Sequence, residues 1–123
     1  MLNRTERENV FRRRLSAVSA GGTYDDLKFG PVKSGELYKI EQISVENETT
    51  AFTKIRVFTN GHGYSHYRFE QASPAATTLY WSEEDIYLGE GDILVVRCTG
   101  CTNGDKLAAY LDGKYIVKDK KVT

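Results

Sequence analysis

Residues 86–117 read IYLGEGDILVVRCTGCTNGDKLAAYLDGKYIV, and this stretch decides the fold. Short runs rich in Ile, Leu, Val and Tyr are separated by Gly89-Glu90-Gly91-Asp92, Asn103-Gly104-Asp105 and Asp112-Gly113. Such runs suit a pleated, half-buried surface, and Gly, Asn and Asp supply the backbone freedom of turns. Asp112-Gly113 between Tyr110-Leu111 and Lys114-Tyr115 predicts a two-residue type I′ hairpin. Working toward the N-terminus, the same texture continues. Strands are expected at 36–47, 51–59, 64–70, 77–81, 85–88, 92–98, 106–111 and 114–117. About eight strands with no helical crossover imply an all-β chain, an antiparallel β-sandwich.

The first thirty-four residues differ in texture. Thr5 with Glu8 makes a capping-box pattern, Phe11, Leu15 and Val18 recur at helical spacing, and Gly21-Gly22 ends the pattern. This predicts a short amphipathic helix in an N-terminal arm, residues 1–34, ahead of a sandwich at 35–117 and a basic tail at 118–123. A helix this short is marginal alone in water and needs a surface to lean on. The expectation is that the arm grips a partner, with Phe11, Leu15 and Val18 as apolar anchors and Arg12, Arg13 and Arg14 as a charged rim.

The formal net charge of the 123 residues is zero, but it is unevenly spread. Residues 1–20 carry five arginines against two glutamates, +3; residues 114–123 also carry +3; residues 21–113 carry −6. An acidic body argues against nucleic acid as a partner. No apolar run reaches the length of about 20 residues that crosses a bilayer, and the first residues lack a signal-peptide core. A protein made and used in the cytoplasm, or in something assembled there, is the expectation, with no membrane partner.

Two cysteines at C-x2-C, Cys98 and Cys101, and two histidines at H-x3-H, His62 and His66, would together satisfy the ligand count of a tetrahedral zinc ion. The histidines precede the cysteines by more than thirty positions and His62 lies in a glycine-flanked turn, so free thiols and surface imidazoles are the expectation, with no cofactor. The carboxylate pairs Asp25-Asp26, Glu83-Glu84-Asp85 and Glu90/Asp92 sit at turns, and neither a phosphate loop nor a nucleophile elbow is present. Nothing nominates an enzyme. Aromatic residues at Tyr64, Tyr67, Tyr80 and Trp81 are candidates for a sugar-stacking platform, a carbohydrate-binding or receptor-facing alternative.

The runs LYKIEQISVENETTA at 37–51, TLYW at 78–81, IYLGEGDILVV at 86–96 and GDKL at 104–107 resemble small virion proteins of tailed bacteriophages. The resemblance implies a jelly-roll sandwich acting as a capsid decoration (cement) protein or a minor head or neck component, with a neck or tail adaptor as a variant. It also implies a symmetric homo-oligomer, a trimer above all, bound to the major capsid protein or another virion protein on the capsid surface. It transfers no catalytic residue.

Overall fold

The structure, a computed structural model, describes residues 6–118 and consists there of nine strands with no helix. They are β1 (Glu6–Val18), β2 (Tyr24–Phe29), β3 (Glu36–Asn47), β4 (Lys54–Asn60), β5 (Ser65–Ala72), β6 (Tyr80–Ser82), β7 (Ile86–Leu88), β8 (Ile93–Thr99) and β9 (Lys106–Lys118). One sheet runs β1-β9-β3-β6, with β7 pairing beside β6 along the same side of β3. The other runs β2-β8-β4-β5, and every pairing is antiparallel. Successive strands cross between the sheets, apart from the β4–β5 hairpin and the interrupted β6–β7 row, which gives a jelly-roll-like winding.

Period-two alternation builds the core. Ile40, Ile43 and Val45 of β3 and Leu107, Ala109 and Leu111 of β9 point inward from the first sheet. They meet Leu27 and Phe29 of β2, Ile55 and Val57 of β4, and Leu94, Val96 and Cys98 of β8. Burying each large aliphatic side chain contributes about 1.5–3 kcal/mol, so this two-sided layer dominates the stability.

The predicted N-terminal helix is a strand. β1 pairs with β9 over its whole length, from Glu6 opposite Lys118 to Val18 opposite Lys106. Phe11, Arg13, Leu15 and Ala17 share its inner face, and Phe11 is buried in the core, while Leu15 and Ala17 pack against it. The period is two, disguised by Arg13, whose guanidinium lies over the rings of Phe11 (5.6 Å) and Phe29 (5.3 Å). β2, also within the expected arm, pairs with β8. Residues 6–29 thus belong to the two sheets, and Phe11 is a core residue instead of a partner anchor. Thr5 of the capping pattern and the tail beyond residue 118 lie outside the described residues.

The expected hairpin at Asp112-Gly113 is also absent; β9 runs straight through it. A type I′ turn needs positive φ at both central residues, and neither has it. Gly113 sits in mid-strand because β3 bulges at its side: Ile40 faces Gly113, Gln42 faces Asp112, and Glu41 is the extra residue. A Cβ on Gly113 would collide with the Lys39 carbonyl oxygen, so the close approach of β3 requires glycine there, with Phe11 as its register partner on β1.

At one end of the sandwich a buried polar knot fixes three loops. The Asp105 carboxylate accepts from Asn47 Nδ2 (2.9 Å), Thr50 Oγ1 (2.6 Å) and the Thr102 N–H (2.8 Å). Burial pushes its pKa up, but these donors outweigh burial and hold it below the usual carboxylate value.

Candidate functional site

Strand register places three surfaces that could meet other molecules. The first is the outer face of the β1-β9-β3 sheet. Val10, Lys114, Lys39 and Tyr87 form one row across it, and Arg14, Tyr110, Ser44 and Trp81 another. Apolar residues stand at the margins of both rows, with Val10 70%, Trp81 59% and Tyr87 57% exposed. Arg12 and Arg14 follow Val10 on the same face of β1, where they meet Asp112 (3.7 Å) and Glu48 (3.6 Å) as loose surface pairs. Lys39 bridges Glu41 and Asp85, and the Asp85 charge, then Tyr87, raises its pKa.

The second surface is the outer face of the β2-β8-β4-β5 sheet, where rings and guanidinium groups alternate. Arg97 stacks on Tyr24 (3.8 Å) and faces Phe58 (5.0 Å); Phe58 meets Tyr67 (5.2 Å); Arg56 stacks on Tyr67 (4.7 Å). Each arginine is clamped by a carboxylate. Arg97 donates two hydrogen bonds to Asp26 (2.8 and 3.0 Å), and Arg56 donates one to Glu70 (2.6 Å), holding Glu70 below the usual carboxylate range. The ladder is self-satisfied.

The third is a cleft of about 220 Å³ at the mouth of the sandwich. It is lined from β4, from the turn after β4, from β5, from β7 and from the turn before β8. His62 Nε2 lies 3.3 Å from Asp92 Oδ1, while Asp92 Oδ2 accepts the Gly89 N–H (2.9 Å). Arg68 enters this cleft as the extra residue of a β5 bulge, since Val57 faces Phe69 and Phe58 faces Tyr67. Bulges re-aim a side chain in this way.

The candidate residues from the sequence divide among these surfaces. Tyr67 belongs to the ladder and Tyr64 to the cleft; Trp81 is on the other sheet, and Tyr80 packs against the core with its hydroxyl accepting the Ala75 N–H (2.8 Å). The four rings therefore do not form one platform. The zinc set does not assemble either. Asn60, two residues before His62, pairs with Ile93, whereas Cys98 pairs with Ile55 at the other end of β8. Five residues of strand separate those ends by about 17 Å. Among the described residues no cluster of metal-ligating side chains occurs. Burial pushes the Cys98 thiol up to about 12 and the Cys101 thiol up to about 11, so neither is poised as a nucleophile. Val18, Arg12 and Arg14 are exposed along β1, Leu15 is half-buried, and Arg13 turns inward over the rings. Arg68 and the Val10 margin were missed by sequence reasoning.

No protein-family model and no curated protein matches the sequence. Among solved structures, the chain is similar to the Drosophila NLP core, a structure concerned with pentamer formation and histone binding, at 17% identity and TM-score 0.49, covering 93% of this chain and 100% of that one. It is similar to a protein of infectious bursal disease virus, Gx strain, at 13% identity and TM-score 0.43, covering 90% of this chain and 32% of that one. It is also similar to the N-terminal cellulose-binding domain of Cellulomonas fimi β-1,4-glucanase C, at 11% identity and TM-score 0.42, covering 89% and 80%.

Proposed function

We propose that this chain is a non-enzymatic structural protein of a virion, a capsid decoration or minor capsid component that joins its assembly as a symmetric homo-oligomer, a trimer by the resemblance. The observation that carries the reading is the outer face of the β1-β9-β3 sheet. Its Val10 and Trp81 margins are largely exposed; Arg12, near Val10, makes only a loose ion pair, and Arg14 lies over the Tyr110 ring (5.9 Å) as well as near Glu48. Exposed apolar residues at the margins of one sheet face, with charged and polar residues between them, favour protein contact. The resemblance of residues 35–117 to small phage virion proteins supports a capsid surface, with the major capsid protein or another virion protein as neighbour, as the place of that contact.

Because β1 is a structural strand, contact through this face does not require a detached arm. The test is a paired substitution, Val10→Asp with Trp81→Asp, scored for oligomeric mass and for co-purification with particles. The reading expects both to fall while the thermal transition stays within a few degrees. Unchanged oligomer and unchanged occupancy would overturn it.

Carbohydrate binding is a second reading, favoured by Tyr67. Its half-exposed ring is held rigidly between Phe58 and Arg56 on the other sheet. Glycan binding that Tyr67→Ala removes would select this reading.

A further inference from the structure

One arginine stands apart among the described side chains. Arg12, Arg14, Arg56 and Arg97 each meet a carboxylate, and Arg13 lies over two rings. Arg68 has neither kind of partner among the described residues, and its Nε is buried without a hydrogen-bond acceptor. A permanently charged group without a counter-charge beside it is costly, and native structures keep such groups where something else completes them. The bulge that makes Arg68 the extra residue of β5 sets it among the residues lining the mouth cleft.

We infer that this cleft is a binding site for a small oxyanion, a carboxylate or phosphate group carried by a polar molecule, with the Arg68 guanidinium as its principal anchor. A guanidinium offers a planar fork of N–H donors that matches either oxyanion. His66 and His62 line the same cleft, as do Asn60 and the rings of Tyr64 and Tyr87, which together supply further hydrogen-bond donors and faces for the rest of the ligand. The one carboxylate in the lining, Asp92, accepts the Gly89 N–H and lies beside His62 instead of pairing with Arg68. The volume suits an anionic group and the part of its carrier next to it. The site meets the sheet face proposed for assembly at Tyr87, which stands at the margin of that face and also lines the cleft.

The test is an NMR titration of the full chain with inorganic phosphate, glucuronate and glucose at constant ionic strength. Saturable shifts are expected for amides of residues 60–68 and 87–92 with at least one anion, at a Kd on the order of 1 mM, and none with glucose. The stronger of the two anions identifies the source of the group. Arg68→Gln should weaken the response about tenfold or more, the loss expected for charge-assisted hydrogen bonds. Arg68→Lys, which keeps the charge but lacks the fork, should weaken it too, and Lys28→Gln, an exposed cation on β2 outside the cleft, should leave it unchanged. No saturable shift with either anion, or a response in Arg68→Gln equal to that of the wild type, would overturn the inference.

Discussion

Replacing Phe11 by Ala separates an integral first strand from a detachable arm. Phe11 is 5% exposed and its ring lies 5.1 Å from Phe29, 5.0 Å from Tyr38 and 6.3 Å from Tyr115, centroid to centroid. Its register partner on β9 is Gly113, which has no side chain. Truncating a buried Phe costs about 3–5 kcal/mol, and the glycine opposite leaves the hole without a neighbour able to collapse into it. For a chain of this size, with unfolding entropy of about 2 cal/mol/K per residue, that loss lowers Tm by roughly 10–20 °C. Calorimetry or thermal circular dichroism on the purified variant reads the shift directly. Ser16→Ala, exposed on the opposite face of the same strand, is the control and should stay within about 0.5 kcal/mol of wild type. A Phe11→Ala transition within about 2 °C of wild type would refute the placement of β1 in the core sheet.

Gly113→Ala should destabilise by about 1–3 kcal/mol or more through collision with the Lys39 carbonyl, whereas Asp112→Thr should be nearly neutral in urea unfolding. A turn at this position would reverse that sensitivity at residue 112, because Thr resists positive φ. The carboxyl of Asp105 is depressed in the folded state, so its stabilisation is complete above the ordinary carboxylate pKa of about 3.9 and is lost as pH falls through the folded value. Wild type should therefore lose more stability than Asp105→Asn between about pH 5 and pH 2, and parallel curves would contradict this. With thiols raised to about 12 and about 11, Cys98 and Cys101 should resist iodoacetamide at pH 8 in the folded protein and react with it in urea. Rapid labelling of the native chain would show that burial does not govern them.

The sandwich was legible because alternation is a strong signal wherever one strand face is wholly apolar, as at Leu94, Val96 and Cys98 on β8. It failed on β1. There Phe11, Leu15 and Val18 fit a helical spacing, and the inward position between Phe11 and Leu15 is held by Arg13, whose charge hides a cation–π cover over two core rings. Asp112-Gly113 misled for another reason. Turn propensity is local, whereas Gly113 answers to a bulge some seventy residues earlier and to a ring on the first strand. Arg68 was invisible because a bulge shifts the alternation by one residue, and no spacing in 64–70 announces it. His62/His66 and Cys98/Cys101 have the right spacing within each pair, but spacing carries no information about which ends of the sandwich the pairs occupy.

The central functional claim is that the face bearing Val10 and Trp81 builds a homo-oligomer for particle assembly. Light scattering coupled to gel filtration tests it most directly. The account predicts that the wild-type chain elutes at a multiple of 13.9 kDa and that Val10→Asp with Trp81→Asp returns it to 13.9 kDa with the fold intact. A wild-type mass of 13.9 kDa across the accessible concentration range would contradict it.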